Sequence, residues 1–267
     1  MSDKETTRQN QLQAFNRLLD IMDELREKCP WDRKQTIASL RHLTIEETYE
    51  LSDAILRHDL PDIKKELGDL MLHLVFYAKI ASETQSFDLA DVLHTLCDKL
   101  IFRHPHIYGT TEAHTEEEVK RNWEQLKLKE GNKSVLGGVP VSLPALVKAM
   151  RIQEKARGAG FDWDNKTQVW EKVEEELGEF KTEFQLKNEE EIDPEKATAE
   201  FGDLLFSLIN FARFIGVNPE EALEKTNLKF INRFQYLEQE ARKNGKSLHQ
   251  MTLAEMDVYW EQAKKEL

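Results

Sequence analysis

A chain of 267 residues, 40% hydrophobic and 33% charged, has room for one large or two medium globular domains with much exposed helical surface. A net charge of −13 and an isoelectric point near 5.2 argue against binding of a nucleic-acid backbone, yet allow a small anion bridged by a metal ion or local cations. Cys29 and Cys97 are too few for a disulfide framework and suit a reducing cytoplasm. The polar stretch 1–11 is no signal peptide, and the longest apolar run, 70–78, is too short to span a membrane.

In chain order, Pro30-Trp31-Asp32 precedes a helix carrying Glu46, Glu47 and Glu50. The breaker Asp59-Leu60-Pro61 then leads into a second helix with Glu66, Gly68 and Asp69, whose continuation 70–80 is apolar nearly all round and is expected to be buried on every side. Lys99 and Arg103 follow, four residues apart on one helix face. His104 and His106 flank Pro105 and suit a structural role. Thr115 with Glu118 reads as a capping box opening the helix of Trp123. The Gly- and Pro-containing stretch 131–144 breaks any helix.

Beyond it, the basic set Lys148, Arg151, Lys155 and Arg157 reads as a solvated face. Asp162-Trp163-Asp164 leads into a helix with Lys172, Glu175, Glu176 and Glu179. Asp193-Pro194 starts the next helix, with Glu200, Asp203 and a second apolar run, 204–215. Asn218-Pro219 starts the helix of Lys229 and Arg233, and Thr252 with Glu255 caps the helix of Trp260. The motifs recur in the same order, so the chain is a duplicated module. No run alternates as a strand does. The expectation is an all-α protein of two tandem helical-bundle domains, 1–130 and 145–267, joined by the linker 131–144.

The carboxylates carry the chemistry. Glu47 and Glu50, three apart, share a helix face, as do Glu66 and Asp69. Counted from the turn at Asp59, Glu50 lies nine residues before it, and Glu66 and Asp69 seven and ten after it, at similar heights along an antiparallel hairpin. The second copy keeps this spacing from Asn188 and Asp193, although its loop is longer. Four carboxylates at one level call for a hard cation with oxygen ligands, Mg²⁺ or Mn²⁺. A di-iron bundle would use Glu-x-x-His pairs, of which the sequence has none. There is no Gly-rich phosphate loop, Ser-His-Asp set or reactive-Cys signature.

Taken together, Cys29-Pro30-Trp31-Asp32, Glu46-Glu47-Thr48-Tyr49-Glu50, the 66–70 motif, Arg103-His104-Pro105-His106, the stretches 160–163 and 175–179, and the 200–206 motif closely resemble the MazG family of nucleoside triphosphate pyrophosphohydrolases. The resemblance covers nearly the whole chain. It implies a Mg²⁺-dependent homodimer that hydrolyses nucleoside triphosphates to the monophosphate and pyrophosphate, broad in base, for nucleotide-pool sanitation or control of a signalling pool. It further implies that the C-terminal copy is active. There Glu176, Glu179, Glu200 and Asp203 would hold the metal, Glu175 would stand beside Glu176 and Glu179 as a catalytic carboxylate, and Lys172, Lys229, Arg233 and Trp260 would contact the nucleotide. Counterparts in the first copy are Glu47, Glu50, Glu66 and Asp69 for metal, and Lys99, Arg103 and Trp123 for nucleotide. The competing expectations are a non-catalytic nucleotide sensor and a purely structural dimerisation protein.

Overall fold

The structure is a computed structural model and describes residues 3–115, 118–119, 122–123, 126, 134–185 and 192–266. Two compact units divide the chain, Met1–Glu112 and Ala113–Leu267. Among the described residues every regular element is a helix.

In the first unit, α1 (Asp3–Lys28) leads through a 3₁₀ turn, Asp32–Lys34, to α2 (Ile37–Leu56). Thr36 caps α2, its hydroxyl accepting from the Ser39 amide at 3.1 Å while the Ser39 hydroxyl accepts from the Thr36 amide at 2.9 Å. The hairpin to α3 (Leu60–Glu83) turns at His58, which sits in the left-handed region at φ 55°. Its amide and that of Asp59 close back onto Ile55 and Ala54, satisfying carbonyls at the end of α2. Asp59 then accepts from the Asp62 amide, and Pro61 stands in the first turn, where its missing N–H costs nothing. Helix α4 (Leu89–Arg103) begins in a reciprocal Asp88–Asp91 cap and passes into the single turn α5 (Pro105–Tyr108). Met22 of α1, Leu40 of α2, and Val75 and Phe76 of α3 form the buried centre, with Phe15, Leu43 and Leu72 packed around it. That core fixes the rotation of α2 against α3, and so which residues line the other face of the hairpin.

In the second unit, α6 (Ala145–Gly158) lies against α8 (Pro194–Phe214), which pairs with α7 (Lys166–Gln185). Helix α9 (Pro219–Lys243) pairs with α10 (Leu253–Glu266). Asp193 and Asn218 cap α8 and α9, each oxygen accepting from two amides of the first turn. Thr252 and Glu255 form the expected box at the start of α10. Lys246 and the Thr252 groups together push the Glu255 carboxyl down to about 2. Val169 and Val173 of α7, Leu204 and Ile209 of α8, and Leu237 and Ala241 of α9 are buried.

Three expectations meet differences. The apolar runs are covered on one side only within the chain: Met71 and Leu74 on α3, and Leu205, Phe206 and Leu208 on α8, stay exposed. The neighbouring helices of each unit cover only part of the circumference of α3 and α8, and among the described residues nothing covers these side chains. The basic face of α6 is not solvated throughout. Lys155 is buried and donates to the Val135 carbonyl, and Lys148 donates to that of Val141, so the described part of the 131–144 stretch is fastened to α6. Residues 131–133 of that stretch, 124–125 after Trp123 and the turn residue Asn188 lie outside the described residues. Residues 113–115, expected in the first module, fall in the second unit.

Candidate functional site

Each hairpin brings three carboxylates together. In the first unit, oxygens of Glu47, Glu66 and Asp69 lie within 4.8 Å of one another; in the second, so do oxygens of Glu176, Glu200 and Asp203. The hairpin geometry explains the first set. Glu47 and Asp69 each stand nine residues from the helix end nearest the turn, and Glu50 and Glu66 each six, so the two helices present matched levels. Glu50 turns to the flank, half-exposed, where Lys65 Nζ lies 4.0 Å away. Glu179 is likewise exposed and acts on Glu200 through its charge.

Burial and mutual repulsion show in the titration of both trios. The Glu47 carboxyl is pushed up by burial first, then by Asp69, Glu50 and Glu66, with Lys65 pulling the other way. Glu200 is pushed up by desolvation first and then by Glu179, Asp203, Glu176 and Glu183. Glu66 is 2% exposed; one of its oxygens accepts from Lys65 at 2.7 Å and the other, Oε2, has no hydrogen-bond partner among the described residues. Glu176 is also buried, and Lys172, one turn earlier on α7, reaches it at 2.7 Å and Glu175 at 2.8 Å. Those two carboxylates hold the Lys172 ammonium well above its ordinary value.

A pH dependence follows. Glu200 binds its proton more tightly in the fold than in the unfolded chain, whose value is near 4.5. Its contribution is therefore favourable below that value and is lost as pH rises through the folded value; above it the ionised group opposes folding. Without divalent ions, Glu200→Gln is expected to raise the melting temperature at about pH 7, and the gain is expected to vanish below about pH 4. Thermal melts in a chelator at both pH values check this, and an equal gain at both would contradict it.

Beside Lys172 the second unit has an open cleft of about 400 Å³ lined by Asp162, Trp163, Asp164, Gln168, Lys172 and Glu175. Arg213 holds this loop in place: 6% exposed, it clasps Asp162 at 2.5 and 3.1 Å and also donates to the Asn210 side chain. The first unit instead carries a polar knot beneath Asp69. The Thr44 hydroxyl lies 2.8 Å from His73 Nδ1 and 2.6 Å from the Tyr77 hydroxyl. Burial pushes His73 down, against the pull of Asp69. By motif register the second unit has Val173, Ser207 and Phe211 at these positions.

The remaining expected residues lie on other helices. Lys99 is exposed near the end of α4, which Arg103 closes. Lys229 is exposed on α9, while Arg233 is partly buried, its Nε without a hydrogen-bond partner and its charge felt by Glu261. Among the described residues no ion pair joins Lys99, Lys229 or Arg233 to a carboxylate trio. Trp260 packs on Phe230, ring centres 5.0 Å apart, and Trp123 is partly exposed. His104 donates from Nδ1 to the Leu100 carbonyl at 2.6 Å, a structural role at the end of α4. Three contributors escape sequence reading: Lys65, the Thr44–His73–Tyr77 knot and the Arg213–Asp162 clasp. Of these, only Lys65 leaves a sequence signal, a cation adjoining the 66–70 motif. No helix of the described residues is long and apolar enough to cross a membrane.

The MazG nucleotide pyrophosphohydrolase domain family matches residues 35–108, the α2/α3 hairpin and α4. The nucleoside triphosphate pyrophosphohydrolase/pyrophosphatase MazG of Thermotoga maritima is 44% identical over 255 residues, covering 94% of this chain and 95% of its own. The nucleoside triphosphate pyrophosphohydrolase of Escherichia coli K12 is 40% identical over 262 residues, covering 96% and 98%. A crystal structure of a mazG-related protein from Thermotoga maritima overlaps 42% of this chain and 98% of its own, at 28% identity and a TM-score of 0.39. With near-complete coverage of both full-length relatives and the acidic motifs present in both halves, the chain belongs to the MazG pyrophosphohydrolase family of hydrolases.

Proposed function

We propose that this chain hydrolyses nucleoside triphosphates of several bases to the monophosphate and pyrophosphate, with Mg²⁺ held in the second unit by Glu176, Glu179, Glu200 and Asp203. The observation that carries the reading is the second trio, crowded and repelling, with no ion pair at Glu200 among the described residues, set beside Lys172 and the Trp163 cleft. The donors fit a hard divalent ion: all are carboxylate oxygens, and Mn²⁺ suits them as well as Mg²⁺. A divalent ion held there supplies Lewis acidity to phosphate oxygens and to the attacking water.

The chain's own groups do the rest. A carboxylate among Glu175, Glu176 and Glu179 takes the proton of the water, whose oxygen bonds to the α-phosphorus as the bond from that phosphorus to the bridging oxygen breaks and pyrophosphate leaves. Lys172, already drawn to the carboxylates, offers its charge to the oxygens that become more negative. Lys229, Arg233 and Trp260 contact the nucleotide, and Lys99, Arg103 and Trp123 are their counterparts in the first half. The exposed apolar residues of α8 support a homodimer, since a second copy would cover them. The acidic charge and the cysteine usage support a cytoplasmic enzyme that acts on nucleotides rather than nucleic acid or membranes, in pool sanitation or in control of a signalling pool.

Phosphorus NMR of a nucleoside triphosphate mixture incubated with Mg²⁺ tests the reaction. Monophosphate and pyrophosphate are expected in equal amounts. Diphosphate with orthophosphate would move the cleavage to the other bridging bond and overturn the proposal.

A further inference from the structure

The two trios draw on cations placed differently. In the first unit Lys65 stands on α3 itself, one residue before Glu66, with its ammonium 2.7 Å from a Glu66 oxygen and 4.0 Å from oxygens of both Glu50 and Asp69. In the second unit, motif register puts Ala199 at that position. Among the described residues no cation pairs with Glu179, Glu200 or Asp203, and Lys172 stands on the opposite helix between Glu175 and Glu176.

The first trio also differs from a solvated acidic face. Glu66 is almost fully buried, and its Oε2 has no hydrogen-bond partner among the described residues. Burying an anionic oxygen without a partner is costly, and Glu47 and Asp69 bring two more oxygens within 4.8 Å of the group. Lys65 answers only one side of Glu66.

We propose that Lys65 is a tethered competitor for the cation position of the first unit: its ammonium and a divalent ion exclude one another there, so this unit fills with metal only at concentrations well above those that fill the second. The inference rests on the reading of the acidic trios as divalent-ion sites. An ammonium bonded to Glu66 Oε1 engages an oxygen that an ion would need, and two positive charges so close repel. Lys65 offsets one negative charge among four carboxylates, so the pocket still attracts a cation, but less strongly. The side chain is 63% exposed and can swing into water when displaced. One chain therefore carries a tight and a weak divalent-ion site, and occupancy of the first unit follows the free-ion concentration.

Titration of the full chain with Mn²⁺, following free Mn²⁺ by electron paramagnetic resonance, tests this. Two classes of site are expected, the weaker lost in Asp69→Asn and the tighter in Asp203→Asn. Lys65→Met is expected to tighten the weaker class about tenfold and leave the tighter one alone, while Lys65→Arg keeps it weak. An unchanged weaker class in Lys65→Met overturns the proposal. A tight class lost in Asp203→Asn with no first-unit class in any variant also overturns it, yet leaves the reading of the second unit standing. No Mn²⁺ binding at all removes both.

Discussion

Glu176→Gln combined with Glu179→Gln is expected to lower turnover of nucleoside triphosphates by about a thousandfold or more, the scale of removing a principal electrostatic stabiliser from an active site. The same pair of changes at Glu47 and Glu50 is expected to leave activity within about threefold, because kcat/KM falls only when contacts that stabilise the transition state are lost, and these carboxylates lie on the other hairpin. The asymmetry comes from the surroundings. The second unit sets its trio beside an open cleft with Lys172 bonded to Glu176 alone of the three, whereas in the first unit Lys65 lies within 4.0 Å of two trio members, Glu66 and Asp69. Steady-state assays of the two double variants, with far-UV circular dichroism as a folding control, decide the matter. Greater damage from the first-unit pair would move the active site to the other hairpin.

Arg213→Ala is expected to destabilise the second unit by about 3 kcal/mol, the scale for removing one partner of a buried ion pair. Its side chain is 6% exposed, and the guanidinium gives two bonds to Asp162 and two to Asn210. Alanine leaves Asp162 partly buried, with the Trp163 amide at 3.0 Å and Arg157 at 3.6 Å in place of the clasp. For a unit of this size the melting temperature should fall by roughly 6–12 °C. The consequence reaches function through the loop: Asp162, Trp163 and Asp164 line the cleft beside Lys172, so KM should rise more than kcat falls. Calorimetry with paired kinetics checks both, and a melting shift below roughly 2 °C would show the clasp to be incidental.

Much of this architecture is written locally. Asp59, Asp193, Asn218 and Thr252 each announce a helix start, because a short oxygen-bearing side chain satisfies amides that the first turn leaves unpaired. The carboxylates were legible for the same reason: residues three apart on a helix share a face, and a hairpin turn sets the level at which two such faces meet. What escaped depends on register across the hairpin or on reach. Thr44, His73 and Tyr77 are 29 and 33 residues apart, and only the rotation of α2 on α3 joins them. Lys65 shares a face with Asp69, four residues on, but it is adjacent to Glu66 and on the other helix from Glu50, and only its long stem brings the ammonium to those two. Lys155 follows the pattern of a solvated face, and its burial depends on the path of the Val135 backbone, which helical periodicity does not encode. The all-round apolar runs of α3 and α8 announce more covering than one chain provides.

Anomalous diffraction from crystals grown with Mn²⁺ tests the central claim most directly, because it locates the ion without relying on turnover. A peak enclosed by Glu176, Glu200 and Asp203 is expected, with Glu179 turned in to join them. Millimolar-range Mn²⁺ leaving no peak in either hairpin, with those side chains spread into solvent, would contradict it.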